Sequence, residues 1–342
     1  MRSIRMLVTN CALNVVGLMV GLNIGHAQEN STVPGKPMIL INGYAPGSGN
    51  DPLGRLVAAH LGRHLPGTPN IVAQNMPGAG TFRLANYMYS AAPRDGSVIG
   101  YISQTAATQE LLKNPSVQFK TSAFNWLGRI STYNIVAATW RSSRVRSVED
   151  ALRYQSTIGA TGVGSTVYIY PDLMNKVLGT KFKIVSGYEG THETALAMER
   201  GEVEGIFTGW FTLKTMRKEW LRDSKVNIIA QFVATRDADL PDVPSIVEFA
   251  RTPVEKSLFR LITSEGDIGK SIFAPPQTPS SAVATLRRGF AEMLVDRSFV
   301  GDAANLQIEI SPLSGDQLQT LIQEVANTPP DVIAFAEKIL KQ

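Results

Sequence analysis

Cysteine is almost missing from this chain of 342 residues, since the single one, Cys11, lies near the amino terminus. Residues 1–27 have the pattern of a cleaved secretory signal, so we expect the mature protein to contain no cysteine. Disulfide bonds, thiolate catalysis and cysteine metal sites are therefore excluded. Further apolar residues follow Cys11, which places it poorly for a lipoprotein cleavage site.

Histidine is also scarce, and the sequence motifs of common hydrolases are missing. Beyond residue 27 the chain contains only His60, His64 and His192. His60 and His64 have the four-residue spacing of helical metal ligands, but no glutamate lies between them, and a solvent-exposed helix face explains the pair. There is no Gly-x-Ser-x-Gly element. We predict no catalytic residue, no metal site and no cofactor.

Neither sign of charge is strongly in excess. The formal net charge is +4, and it falls to +2 when residues 1–27, which include Arg2 and Arg5, are left out. Proteins that bind nucleic acid use many lysine and arginine contacts to phosphates, so a surplus of this size predicts no such partner.

The first 27 residues differ from the rest of the chain. Two arginines precede a mostly apolar run at 6–24, and the small-residue sequence GHA follows at 25–27. This order predicts a secretory signal peptide over residues 1–27 and a periplasmic protein. A retained membrane anchor is the alternative. Three asparagines interrupt the run, however, whereas a spanning helix needs about 20 predominantly apolar residues.

Strand-like and helix-like patterns alternate after residue 36. Apolar runs at 38–44 and 95–103 read as buried strands, and the pattern at 51–65 reads as an amphipathic helix. This alternation predicts an α/β fold with parallel sheets. A second series of the same kind begins near Asn134. We therefore predict a discontinuous first domain at 36–133 and 256–342, and a second domain at 134–255.

Glycine-rich loops precede a helix in each predicted domain. In the first, Gly47 and Gly49 come before a helix with Asp51 as its expected N-cap and Pro52 as its first residue. The N–H groups at such a helix start favour an anion, so we predict a carboxylate or phosphate. A purely structural role stays open, because many strand-to-helix loops use glycine and aspartate in this way.

The loop at 159–166 repeats this design in the second domain, with Ser165 and Thr166 at the helix entry. It lacks the third glycine of a dinucleotide-binding motif and the Gly-Lys-Ser/Thr ending of a P-loop, so we do not expect it to bind a nucleotide. Two aromatic residues, Tyr188 and Trp210, end strands of the same domain. Each is expected either to line a ligand cleft or to pack on a neighbouring loop.

Six segments, in the same order, resemble signatures of the extracytoplasmic solute receptors of tripartite tricarboxylate transporters, also called the Bug family. They are YAPGSGNDPLGRLVAAHL, QNMPGAG with AAPRDGSVIGYIS, TGVGS, SGYEG, ATRDADLPDVPSIVEF and FAPPQTPSSAVATLRRGF. The resemblance covers residues 38 to 325. It implies a type II periplasmic-binding-protein fold, in which two α/β domains close over a ligand cleft.

The resemblance also implies a function without catalysis. Such receptors capture small, usually carboxylated solutes and hand them to separate membrane permease subunits, and we expect a monomer. The ligand-binding residues implied by the matching motifs, with Trp210 added from its position, are Ala45, Pro46, Gly47, Ser48, Asn50, Gln104, Thr105, Ala106, Gly164, Ser165, Thr166, Tyr188, Gly190 and Trp210.

The sequence departs from the family pattern at several points. Residues 168–171 replace a His-Leu pair that commonly follows the Gly-Ser loop, and Glu204 replaces a usual aspartate. We expect these changes to lie at or near the cleft, so the ligand's identity is not inherited. Two other functions stay open: a partner that presents its ligand to a membrane sensor, and an exported enzyme that uses the same cleft.

Overall fold

The computed structural model describes residues 37–48, 50–162 and 165–340. The predicted signal peptide at 1–27 and the predicted site residue Gly164 lie outside the described residues. Within the described ranges, no helix combines the length and apolar character needed to cross a membrane.

Eleven strands occur in the described residues. They are β1 (Met38–Asn42), β2 (Ile71–Asn75), β3 (Val98–Tyr101), β4 (Asn125–Ser131), β5 (Ile135–Trp140), β6 (Ser156–Gly159), β7 (Phe182–Val185), β8 (Gly205–Gly209), β9 (Val226–Phe232), β10 (Lys270–Ala274) and β11 (Leu313–Ser314).

Thirteen α-helices occur in the same ranges. They are α1 (Asp51–Leu61), α2 (Phe82–Ser90), α3 (Ala106–Leu111), α4 (Val148–Arg153), α5 (Thr166–Leu178), α6 (Thr191–Glu199), α7 (Trp210–Met216), α8 (Lys218–Arg222), α9 (Pro253–Ile268), α10 (Ser280–Val295), α11 (Arg297–Asn305), α12 (Gly315–Ala326) and α13 (Pro330–Leu340). Four short 3₁₀ turns lie at Gly62–His64, Ala79–Thr81, Thr121–Ala123 and Ile246–Phe249.

The strands form two mixed sheets. The first has the order β11-β4-β10-β3-β1-β2, with β1 parallel to β2 and β3, and with β10 antiparallel to β3 and β4. The second has the order β7-β6-β8-β5-β9, with β6 parallel to β7 and β8, and with β5 antiparallel to β8 and β9. The predicted α/β class is confirmed.

The antiparallel strands follow from how the chain passes between the sheets. β4 ends at Ser131 and β5 begins at Ile135, so the chain changes sheet through residues 132–134, which we call the crossover segment. Ile135 pairs with Gly209 at the carboxyl end of β8, and Lys270 pairs with Ser131 at the carboxyl end of β4. Each of β5 and β10 therefore starts where its neighbours end, and the prediction of parallel sheets is wrong for these two strands and for the two-residue strand β11, which pairs antiparallel with β4.

Helix α1 forms where its apolar periodicity predicts, with Leu53, Val57 and Leu61 at most 1% exposed. Its start differs from the prediction by one residue. Asn50 is the N-cap, without a side-chain cap hydrogen bond, and Asp51 is already helical. Asp51 cannot act as the cap because its carboxylate is used by the preceding loop, as described below.

The apolar core continues from one sheet to the other. Phe273 of β10 packs against Trp126 and Phe124, with ring centroids 5.3 Å and 4.5 Å away. The same apolar cluster includes Phe259 of α9 and Phe232 of β9. All described residues belong to one compact unit. The crossover segment is therefore held between packed elements of both sheets.

Candidate functional site

The predicted loops follow the carboxyl ends of strands in both sheets. Residues 45–50 follow β1, 104–106 follow β3, 165–166 follow β6, 188–190 follow β7, and Trp210 directly follows β8. The crossover segment connects the carboxyl end of β4 in the first sheet to the carboxyl ends of β8 and β9 in the second, because β4 ends at Ser131 and Ile135 pairs with Gly209 and Phe232. Open α/β sheets bind ligands beyond such edges, so this is the candidate site.

The loop after β1 packs on the end of β3. The rings of Tyr44 and Tyr101 have centroids 5.1 Å apart, and the Tyr101 hydroxyl donates to Asn50 Oδ1 at 3.3 Å. Burial raises the pKa of Tyr44 to about 12, against the opposing effect of its hydrogen bonds to Ser103 and Tyr101. Tyr44 therefore stays a neutral hydroxyl beside the predicted residues 45–50.

Asp51 organises this loop from inside. Its carboxylate accepts from the Gly47 N–H at 2.9 Å, from Asn75 Nδ2 at 2.8 Å and from Arg55 Nε at 2.8 Å. Burial alone would raise the pKa of Asp51, but these donors and the Arg55 charge lower it to about 2. The sequence predicts a bound anion at the start of α1. In the structure, the protein's own Asp51 carboxylate occupies that position.

The backbone donors of this loop are largely used within it. Gly47 N–H is taken by Asp51, and Ser48 N–H donates to the Ala45 carbonyl at 3.1 Å. These two N–H groups are therefore occupied within the loop. The side chain of Ser48 remains: its Oγ is buried and has no hydrogen-bond partner among the described residues.

The loop after β3 offers hydroxyl groups beside Tyr44. Ser103 N–H donates to Thr81 Oγ1 at 2.9 Å, and the Ser103 and Thr105 hydroxyl oxygens are 2.9 Å apart. Gln104 and Thr105 are half-buried, whereas Ala106 is buried as the first residue of α3. Ser103, which was not among the predicted residues, therefore belongs to the same surface.

The second-sheet loops are tied to each other. Ser165 is the N-cap of α5, and its Oγ donates to the Gly162 carbonyl at 2.7 Å and makes no side-chain cap hydrogen bond with the helix. Gly187 N–H donates to the Thr161 carbonyl at 2.8 Å, which fixes the loop after β7 against the loop after β6. Tyr188 is half-buried on the neighbouring apolar cluster, and Gly190 is the N-cap of α6.

Trp210 is largely buried, with 8% of its surface exposed. It is the first residue of α7 and packs in the same cluster as Leu213 and Trp220. Its indole Nε1 donates to Asp239 Oδ2 at 3.4 Å. Of the two interpretations of this residue, packing against neighbouring elements describes its main contacts.

The departure at Glu204 lies away from the candidate site. Glu204 precedes β8, at the amino end of that strand, and its Oε2 accepts from Thr157 N–H at 3.0 Å. The expectation that this change lies near the cleft is therefore wrong. Tyr170, one of the other departures, is buried, stacks on Phe232 with ring centroids 4.3 Å apart, and lines a cavity of about 600 Å³.

A cavity of about 600 Å³ lies between α3, α5, α9 and α13, beside the predicted residues. Thr166 lines it, and Thr108, whose hydroxyl donates to the Thr105 carbonyl at 2.9 Å, lines it from the first-sheet side. Glu265 of α9 contributes a carboxyl group that is hydrogen-bonded to Thr108. Burial raises the pKa of Glu265 to about 7, against the lowering effect of Thr108.

Sequence reasoning missed Glu265, although a signal was present. In α9 the residues Leu258, Leu261, Ile262 and Ile268 are buried at helical spacing, and Glu265 falls on the same stripe. A carboxyl group on the apolar stripe of a helix is unusual enough to predict either a partner or a raised pKa.

The two histidines of α1 and the turn after it are packing partners of α11. His60 is 5% exposed, so the prediction of a solvent-exposed face is wrong for it, and its Nε2 lies 2.9 Å from Asp302 Oδ2. His64 Nε2 lies 3.8 Å from Asp296. Across the described ranges, no group of three or more His, Cys, Asp or Glu side chains is arranged to hold a metal ion.

Solved structures share this two-sheet fold. A TctC solute binding protein from Polaromonas superposes with a TM-score of 0.69 at 20% identity, over 90% of this chain and 99% of that one. MatC from Rhodopseudomonas palustris with bound malate superposes with a TM-score of 0.56 at 19% identity, over 90% of this chain and 100% of that one. An R. palustris protein with adipate superposes with a TM-score of 0.57 at 21% identity, over 89% of this chain and 98% of that one.

The family model described as "Tripartite tricarboxylate transporter family receptor" matches residues 53–336. This span includes elements of both sheets and most of the loops at the candidate site. Proteins of this family are solute receptors rather than enzymes. The chain therefore belongs to the receptor family of the tripartite tricarboxylate transporters.

Proposed function

We propose that the protein binds a small carboxylate-bearing solute between the adjoining edges of its two sheets. One observation carries this proposal: the cavity of about 600 Å³ is lined by Thr108 of α3, which follows β3 of the first sheet, and by Thr166 at the start of α5, which follows β6 of the second. The malate in MatC and the adipate in the second R. palustris protein support the ligand class. The two sheets then correspond to the two predicted domains, at 36–133 with 256–342 and at 134–255.

Side chains would carry the recognition in the first-sheet loop, because Asp51 and Ala45 already use the Gly47 and Ser48 N–H groups. The Ser48 hydroxyl has no partner among the described residues and can donate to a carboxylate. The start of α5 supplies the opposing surface, where Thr166 follows the N-cap Ser165. Neutral donors are sufficient to bind a carboxylate when water is excluded from it.

We further propose that the protein acts in the periplasm as a monomer and delivers its solute to the membrane subunits of the transporter. The family membership and the signal-like sequence at 1–27 support this assignment. Loss of solute uptake in cells that lack the gene, with restoration by the full chain but not by residues 28–342 alone, would test both export and delivery.

A thermal-unfolding screen tests the ligand class. The mature chain is mixed with malate, adipate, citrate and L-aspartate, and with glucose as the neutral control. A ligand at 100 times its Kd stabilises the folded state by about 2.7 kcal/mol, which raises the melting temperature measurably. Stabilisation by glucose with none by the carboxylates would contradict the proposal.

A pair of serine variants tests the place of binding. Ser165→Ala is expected to weaken binding of the stabilising carboxylate without lowering the melting temperature of the free protein. Ser90→Ala is the matched control, because the Ser90 hydroxyl also donates to a backbone carbonyl, at 2.7 Å, but on helix α2. Equal affinities for the two variants would remove the α5 start from the site.

A further inference from the structure

A second, smaller cavity lies at the crossover segment. Its volume is about 170 Å³, which corresponds to roughly five or six water molecules at about 30 Å³ each. Thr132 and Asn134 of the crossover segment line it, together with Lys270, Asp237 and Glu309. Trp210 also lines the cavity, and it is the one predicted site residue that does so.

Lys270 gives this cavity a cation. It is the first residue of β10 and is half-buried, and burial lowers its pKa. Among the described residues, Lys270 has neither an ion pair nor a side-chain hydrogen bond. The nearby Lys214, by contrast, pairs with Asp239 and Glu309. A partly desolvated ammonium without a protein partner calls for an anion from elsewhere.

Asn134 gives the cavity an acceptor. Asn134 is 6% exposed, and its Oδ1 is buried without a partner in the described structure. Its Nδ2 donates to Asp237 Oδ2 at 3.0 Å and lies 3.5 Å from Gln231 Oε1. Gln231 is itself held, because its Nε2 donates to the Leu240 and Val243 carbonyls. Rotation of the Asn134 amide would place an oxygen against two other oxygens, so its orientation is fixed.

The cavity thus combines an unpaired cation with a buried acceptor, next to the Asp237 carboxylate. A ligand that satisfies both must contain an anionic group and an N–H donor within a few atoms of each other. We propose that this cavity is a second binding site, which takes a small α-amino acid. Its carboxylate pairs with Lys270, and its ammonium donates to Asn134 Oδ1 and faces Asp237.

The site joins the two sheets through its ligand. Lys270 begins a strand of the first sheet, whereas Asp237 and Trp210 follow strands of the second. Occupation therefore links residues of both sheets at the crossover segment, and this site is separate from the loops at 45–50, 104–106 and 165–166.

Calorimetric titration of the mature chain with L-alanine, acetate and ethylamine tests the proposal. L-Alanine carries both groups, whereas acetate lacks the ammonium and ethylamine lacks the carboxylate. The expected result is that L-alanine binds at least tenfold more tightly than either single-group ligand. No binding of L-alanine, or acetate binding as tightly as L-alanine, would overturn the proposal. The comparison uses the unaltered protein, so it does not depend on a variant folding.

Variants then locate the bound L-alanine. Lys270→Gln is expected to reduce its affinity at least tenfold. Lys176→Gln is the matched control, because Lys176 is an ion-paired lysine that does not line the cavity, and it should leave the affinity unchanged. Ser165→Ala should also leave L-alanine binding unchanged, whatever it does to carboxylate binding at the proposed solute site. Loss of L-alanine binding in Ser165→Ala but not in Lys270→Gln would place the amino acid elsewhere and overturn the assignment.

Discussion

Lys214 Nζ lies 2.9 Å from Glu309 Oε1, and this ion pair joins helix α7 of the second sheet to the segment between α11 and β11. Asp239 binds the same ammonium from within the second-sheet part of the chain. Partial burial works to lower the pKa of Lys214, but hydrogen bonds to the two carboxylates raise it. Lys214 therefore stays charged and holds residues that belong to different sheets.

Breaking this pair should have a small, salt-sensitive effect. Lys214→Met and Glu309→Gln are each expected to lower the free energy of unfolding, with a coupling energy of about 0.5 kcal/mol in a double-mutant cycle at low salt. Because the side chains are partly exposed, about 1 M NaCl should remove most of that coupling. Urea unfolding of the four proteins at both salt concentrations measures it, and a coupling that persists at high salt would contradict the exposed-pair description.

Asp51→Asn should destabilise the protein strongly for a single polar substitution. The asparagine keeps the size of the side chain but replaces one carboxylate oxygen by N–H₂, which then faces either the Gly47 and Arg55 donors at the Oδ2 position or the Asn75 donor at the Oδ1 position. We expect a loss of about 2–4 kcal/mol at pH 7. Asp331→Asn is the control, because Asp331 occupies the first turn of α13 and is exposed.

The same substitution should change the acid dependence of stability. The pKa of Asp51 is lowered to about 2 in the folded state from an ordinary value of 3.8. Its contribution is therefore complete above about pH 4 and is lost as the pH falls toward 2. The Asn variant should show a smaller decline in unfolding free energy between about pH 4 and pH 2.5, and a decline equal to that of the unaltered protein would refute the Asp51 network.

Glu265→Gln should have the opposite pH dependence. The pKa of Glu265 is raised to about 7 in the folded state from 4.5, so its favourable contribution is complete below pH 4.5 and is lost as the pH rises through 7. Glutamine resembles the protonated acid, and its N–H₂ can donate to the Thr108 hydroxyl oxygen while that hydroxyl donates to the Thr105 carbonyl. The variant should therefore gain about 1–3 kcal/mol at pH 8 and little at pH 5 relative to the unaltered protein. Melting temperatures at the two pH values measure this difference.

Gly43→Ala tests the close packing of the loop after β1. A methyl group there would lie 2.7 Å from Thr81 Cβ and 3.2 Å from the Tyr101 carbonyl oxygen. The loop must shift, so we expect a loss of about 1–3 kcal/mol and weaker binding of the carboxylate. Gly162→Ala is the control in the loop after β6, because its methyl group would lie more than 4 Å from every described atom outside its chain neighbours, so this change should be tolerated.

Much of the fold could be predicted because burial leaves a periodic pattern in the sequence. The strand β1, the helix α1 and the alternation that follows were visible in this way. Strand direction leaves no such pattern. β5 runs antiparallel because of where the chain crosses between sheets, and a crossing of three residues looks like any other loop.

The candidate site was predictable as a set of loops but not as a set of available groups. Glycine and serine marked the loop at 45–50, yet only the structure shows that Asp51 already accepts the Gly47 N–H. Trp210 looked accessible at the end of a strand but starts a buried helix turn. Nothing in the sequence marks Lys270, and its position without a partner among the described residues depends on groups distant along the chain.

The late position of β10 in the chain affects how the first sheet can assemble. β10 lies between β3 and β4, but all of β5–β9 is synthesised before it. Until β10 arrives, the facing backbone edges of β3 and β4 have no strand between them, and closing this gap requires ordering a long loop. Folding of the first sheet should therefore be slow and should follow the second, whose five strands are contiguous in sequence.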